Sequence, residues 1–224
     1  MCGRFTLIVT VEELVERFGL EEAPLSYVPR FNAAPGQMVL AIVAKGGKRH
    51  GGMLKWGLVP SWAKDEKIGY KMINAKAETL TEKPSFRTAF ERRRCIIPAD
   101  GFYEWRRQDA GKQPMRIVRK DRELFALAGL YDTWTAPDGR RVGSCTVVTT
   151  EPNELVRDIH DRMPVILRPE GEELWLDRDV TDPSLLQPLL VPYPAEAMSA
   201  YPVDPKVGNV KNDTADCVEP YAWR

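Results

Sequence analysis

The sequence contains no apolar run approaching the ~18–20 residues that a membrane span requires, and its opening lacks the apolar stretch of a secretory signal. These absences lead us to expect a cytoplasmic protein with no membrane partner. Cysteine is sparse: Cys2, Cys95, Cys145 and Cys217 are widely separated and form no C-x-x-C pair. That argues against a zinc ribbon or a redox dithiol, and a reducing compartment argues against structural disulfides. There are two histidines, His50 and His160. A metal site would have to be gathered from distant Cys2, Cys95 and His160, so no metal and no cofactor is expected. Charge excess is also missing, since 32 basic residues balance 32 acidic ones. A bulk-basic nucleic-acid binder is thereby excluded, while a local basic strip is not.

What is present describes an ordinary globular chain. At 224 residues, 43% hydrophobic and 29% charged, it suits a single domain over 1–224 with a substantial core. Arg87 and the run Arg92-Arg93-Arg94 make a basic strip, whereas acids concentrate at 12–22 and 169–182. The strip reads either as a solvated face or as a surface for a polyanion.

Thr10-Val11-Glu12-Glu13 has the form of a capping box, and Val11, Leu14, Val15 and Phe18 follow helical spacing up to a stop at Gly19. Short β-branched or apolar runs predict strands at 38–44, 95–98, 115–118, 124–130 and 144–149. Gly46-Gly47, Asp109-Ala110-Gly111 and Pro137-Asp138-Gly139 supply turns between them. Short helices are expected after Pro152 and from Asp182-Pro183, followed by extended chain broken by prolines. The pattern predicts an α+β fold: one domain with a β-rich, barrel-like, largely antiparallel core and short peripheral helices.

The opening Met1-Cys2-Gly3-Arg4-Phe5 bears on chemistry. A small second residue normally permits removal of Met1, which would leave an amine and a thiol on neighbouring carbons. Such a pair captures an aldehyde as an imine through nitrogen and closes through sulfur to a five-membered thiazolidine. Free α-amines and thiols titrate at ~7.7–8.0 and ~8.5, so both are partly nucleophilic at neutral pH. The plainer reading is a small buried hydrophobe.

Four polar-aromatic islands interrupt the strands: Trp56-Gly57-Leu58-Val59-Pro60-Ser61-Trp62, Asn74-Ala75-Lys76-Ala77-Glu78-Thr79, Asp100-Gly101-Phe102-Tyr103-Glu104-Trp105 and His160-Asp161-Arg162-Met163-Pro164. Glu104, between two aromatics, is either a desolvated general acid–base or a strand-end carboxylate in water. His160 is either a proton donor or a packed structural histidine. Asn74 either positions a carbonyl or sugar oxygen or serves its own turn. Of Trp56 and Trp62, at least one should be core, and an exposed one can stack on bases. His50 reads as an exposed hairpin residue.

Together with Cys2-Gly3-Arg4-Phe5, Phe31-Asn32-Ala33-Ala34-Pro35-Gly36 and Val207-Gly208-Asn209-Val210-Lys211-Asn212, these islands resemble the SRAP (SOS response-associated peptidase) domain over residues 2 to about 215. The resemblance implies a protein that recognises abasic sites in single-stranded DNA and cross-links to them through Cys2, with possible lyase activity. It implies catalytic roles for Cys2, Asn74, Glu104 and His160, and DNA contacts from Arg4, Asn32, Pro35, Trp62, Lys76, Arg87, Thr149 and Arg162. By the same likeness the partner is single-stranded DNA containing abasic sites, and the protein a monomer in the cytoplasm, at the nucleoid when bound. Lys76 stands where many members carry arginine, and Trp62-Ala63 replaces the tryptophan pair of some members, which weakens phosphate and stacking contacts. Two other readings stay open: an N-terminal-nucleophile autopeptidase or amidohydrolase, and a non-catalytic single-strand binder using Trp62, Arg87 and Arg92 to Arg94.

Overall fold

A computed structural model describes residues 2–24, 26–109 and 111–222. Met1, and Ala110 of the expected Asp109-Ala110-Gly111 turn, lie outside the described residues. The capping box forms as expected. Thr10 accepts the Glu13 N–H, Glu13 accepts the Thr10 N–H at 2.7 Å, and helix α1 runs Val11–Phe18 to a left-handed Gly19. Leu14 and Phe18 face inward. Tyr27 donates its hydroxyl to the carbonyls of Leu7 and Val9, so the chain just after the N-terminus is tied down at several points.

The strands are β1 Phe5–Leu7, β2 Arg30–Ala33, β3 Met38–Lys45, β4 Lys48–Trp56, β5 Asn74–Lys76, β6 Arg94–Ala99 and β7 Gly101–Gln108. They continue with β8 Gly111–Arg119, β9 Phe125–Thr135, β10 Arg141–Thr150, β11 Met163–Pro164, β12 Ile166–Leu167 and β13 Met198–Pro202. β10, β4, β3, β6 and β9 pair in turn and return to β10, closing a five-stranded barrel. Closure removes free edges within the ring. All of its pairings are antiparallel except β4 with β10. A second sheet has the order β13-β8-β7-β1-β2. Phe5 of β1 packs on Trp56 of β4 with ring centroids 5.1 Å apart, joining the two sheets through the core.

The chain crosses from barrel to second sheet at Asp100, between β6 and β7. The Asp100 carboxylate accepts hydrogen bonds from Thr6 Oγ1, the Ile8 N–H and, at 2.7 Å, Arg116. This largely buried ion pair locks β1 beside β7; removing one partner of such a pair typically costs ~3–5 kcal/mol.

The remaining helices are α2 Pro84–Arg92, α3 Glu154–Arg157, α4 Pro169–Leu176 and α5 Pro183–Leu186. The last two expected helices are present as α3 and α5, capped by Asn153 and Asp182. The chain after Pro188 is more ordered than an extended tail: β13 adds to the second sheet, and Pro205–Gly208 forms a 3-10 turn. Among the described residues, no helix is long and apolar enough to cross a membrane, and no group of three or more His, Cys, Asp or Glu is placed to hold a metal ion.

Candidate active site

The antiparallel register sets the first contact. Phe5 pairs with Phe102, and the Tyr103 N–H donates to the Arg4 carbonyl, so the next residues toward the N-terminus run alongside Glu104. Cys2 is fully buried there. Asn74, on β5 and paired with Val147 of β10, donates its Nδ2 to the Cys2 carbonyl at 2.9 Å. Its Oδ1 is buried with no hydrogen-bond partner among the described residues, an acceptor left over for something else. His160 follows α3, its N–H bonded to the Val156 carbonyl, and brings Nε2 to 3.8 Å from Glu104 Oε2. Strands from both sheets and a helix C-terminus thus converge on one point.

The electrostatics of that point favour neutral groups. Burial, aided by the Glu104 charge, pushes the Cys2 thiol well above its ordinary value. Burial raises Glu104 to about 7, with Asp161 adding to the rise and the Trp105 N–H opposing it. Burial also lowers His160, against the pull of Asp161. Near neutral pH Glu104 is therefore partly protonated beside a neutral imidazole, so the site holds a proton to give and a base to receive one. His160 Nδ1 accepts the Arg162 N–H at 3.0 Å and lies 2.9 Å from an Asp161 oxygen. A lone pair on Nδ1 satisfies Arg162 and a proton there satisfies Asp161, so both protonation states have a partner. With Nδ1 accepting, the neutral ring carries its proton on Nε2, toward Glu104. A groove of about 800 Å³ opens from Glu104 and His160 to the surface.

The residues expected to contact DNA divide into two groups. Trp62 is 58% exposed, whereas Trp56 is core and donates its Nε1 to the Ile73 carbonyl. Lys76 and Arg87 are exposed, and Pro35 is half-buried. Arg162 is held bidentately by Glu78 at 2.6 and 3.0 Å and donates to the Thr149 carbonyl at 2.6 Å. Thr149 is itself buried, so it positions Arg162 and offers little surface of its own.

Arg4 and Asn32 have inward tasks. Asn32 is 0% exposed; its Nδ2 reaches the carbonyls of Val207, Asn209 and Asn212, and its Oδ1 accepts from Arg4 at 3.0 Å. Arg4 also donates to the Val207 and Gly208 carbonyls, with its guanidinium 5.8 Å from the centroid of Trp105. These two residues pin the 207–212 segment against the site, and Asn32 has no surface left for a strand. Asp213, which sequence reasoning missed, completes the clamp through Arg30 and the N–H groups of Phe31 and Asn32. The triple arginine is not a uniform basic face. Arg94 is buried and donates to the carbonyls of Phe90, Glu91, Trp175, Asp177 and Val180; Arg93 pairs with Asp132; only Arg92 is exposed. His50 is a half-buried β4 residue opposite Val43.

A barrel with a buried cysteine at its N-terminal edge, facing a carboxyl–imidazole pair and an asparagine, defines a class of cysteine-centred site. The family model described as SOS response associated peptidase (SRAP) matches residues 1–210, and the chain belongs to that family. It is 53% identical over 222 residues to the abasic site processing protein YoqW of Bacillus subtilis (strain 168), covering 98% of this chain and 99% of that one. It is 35% identical over 191 residues to the abasic site processing protein HMCES of Xenopus tropicalis, covering 74% of this chain and 56% of the relative. A crystal structure of a Bacteroides thetaiotaomicron protein superposes with a TM-score of 0.89 at 28% identity, over 99% of this chain and 100% of the other.

Proposed function

We propose that this protein processes abasic sites in single-stranded DNA by forming a thiazolidine through Cys2. The observation that carries the reading is the convergence of Cys2, Asn74, Glu104 and His160 on one point beside an open groove. An abasic sugar is a closed hemiacetal and must open before C1′ is electrophilic. His160 donates the proton that assists that opening, with the Glu104 carboxyl 3.8 Å away to return it, and the spare Asn74 Oδ1 accepts a hydrogen bond from a sugar hydroxyl.

Once Met1 is removed, the Cys2 amine adds to the aldehyde and water leaves, giving an imine. The thiol then adds across C=N: sulfur bonds to C1′, the thiol proton passes by way of Glu104 to nitrogen, and the ring closes with one water lost overall. Both nucleophiles sit on one residue, so closure is intramolecular, where effective molarities reach ~10⁵–10⁸ M in well-oriented cases. An open imine acidifies the C2′ proton and invites strand cleavage; prompt closure suppresses that lyase route. Trp62 stacks on a neighbouring base, and Lys76, Arg87 and Arg162 meet phosphates. We place the protein in the cytoplasm, at the nucleoid when bound, acting as a monomer. Acyl transfer by Cys2 is the weaker reading, because a peptidase thiolate needs a lowered pKa and burial here does the opposite.

The test is intact-mass analysis after mixing with single-stranded DNA carrying one abasic site. Wild type should gain the mass of the DNA minus one water. Cys2→Ala should give no durable adduct, and Cys2→Ser only an imine that falls apart without reduction. Equal adduct lifetimes for Cys2→Ser and wild type would eliminate thiazolidine closure.

A further inference from the structure

The groove that starts at Glu104 and His160 continues past the groups that do the chemistry. Arg107, Lys112 and Arg157 line it too. All three are exposed, and none has an ion pair within 4 Å among the described residues. Arg107 and Lys112 are direct cross-strand partners in the β7–β8 hairpin. Like charges directly opposite each other on a hairpin are destabilising, so nothing in the fold calls for this pairing. Arg157, in the last turn of α3, brings a third cation from a separate element. Asp158 and Asp161 line the same groove, and Asp161 is engaged with His160 Nδ1.

We propose that Arg107, Lys112 and Arg157 form a phosphate subsite that receives the phosphodiesters flanking the lesion sugar on one side. The inference rests on abasic DNA being the substrate and names where its chain continues. A sugar with C1′ at Cys2 carries a phosphodiester on each side. An open trough beside that sugar, lined by three exposed cations that form no ion pair among the described residues, matches a polyanion leaving the site, and its volume of about 800 Å³ suits a backbone better than a single small anion.

The test compares wild type with the triple variant R107Q/K112Q/R157Q on single-stranded oligonucleotides whose abasic site is internal, near the 5′ end or near the 3′ end. Losing three single-strand phosphate contacts should make the slope of log K against log[salt] shallower by ~2, which at ~0.1 M salt is on the order of 100-fold weaker binding to the internal site. The deficit should vanish on whichever end-placed substrate lacks the flank that fills the groove. Capture of free 2-deoxyribose should be unchanged, since it has no phosphate, and this also certifies a folded catalytic pocket. The charge-retaining variant R107K/R157K should keep most of the wild-type salt slope. If the triple variant matches wild type in salt slope and rate on every substrate, the subsite is refuted. If wild type forms no adduct at all, the proposed function fails instead.

Discussion

Glu104→Gln should make the protein more stable above neutrality while disabling it. Glu104 is 2% exposed, and burial lifts its carboxyl from the ordinary 4.5 to about 7. Each pH unit of that interval is worth ~1.36 kcal/mol, so keeping the carboxylate ionised in the pocket costs roughly 3 kcal/mol. The sign follows from proton binding. Between pH 4.5 and about 7 the native state still holds the Glu104 proton and the unfolded chain has lost it. Stability therefore falls as pH rises through this window, and the full cost is felt above it. His160, lowered by burial, pushes the other way below its unfolded value, but it is present in both proteins and cancels in the comparison. The amide cannot ionise and mimics the protonated acid.

Denaturant unfolding of wild type and Glu104→Gln at about pH 4 and about pH 8 measures the effect. The variant should match wild type in acid and exceed it by up to roughly 3 kcal/mol in base. Adduct formation, which needs a proton donor and then a proton acceptor at that position, should slow by ~10²-fold or more. A stability difference that is the same at both pH values would refute the assignment of burial as the cause of the raised pKa.

Other expectations are more local. Trp62→Ala should leave the unfolding midpoint unchanged, because the ring is 58% exposed, and should weaken binding to abasic single strands by ~1–3 kcal/mol in a fluorescence anisotropy titration. Lys76→Arg should strengthen that binding and slow dissociation without altering the rate of ring closure at saturation, since a fork replaces a point charge at an exposed position. Gly57→Ala should destabilise by ~3 kcal/mol or more in thermal unfolding: its φ is +129°, and a Cβ there would meet the Gly69 carbonyl oxygen at 2.7 Å.

What could be read from the sequence was what local rules govern. The capping box at Thr10 is a contact between residues three apart, and the β-branched runs reported strands because a half-buried pleated surface selects them. The candidate residues Asn74, Glu104 and His160 could be picked out because each lies in a short polar segment that interrupts the apolar strand runs, and Cys2 because it is the second residue. Helices α2 and α4 went unread. Each starts at a proline with no side-chain cap, and α4 carries Gly171 near its start, so neither announces itself locally. Asn32 was misplaced for a different reason. Its partners are carbonyls 175 to 180 residues away, and an amide that binds a distant backbone has the same one-letter signature as one that binds a phosphate. Arg94, satisfied by five carbonyls, shows how a basic run can hide a buried guanidinium.

That burial raises the Cys2 thiol looks at first like poor design for a nucleophile, and the order of steps explains why it is not. A cysteine held protonated resists oxidation and metal capture while the site is empty. On the proposed pathway the amine acts first, and the resulting protonated imine places a positive charge on the bond the sulfur is to attack. A positive charge at that distance in a desolvated pocket stabilises the thiolate far more than it would in water. Glu104, poised near 7, stands ready to take the proton. On that pathway the substrate supplies the activation that other cysteine enzymes build in permanently. The same low dielectric that silences the free thiol strengthens its response once the aldehyde has been caught.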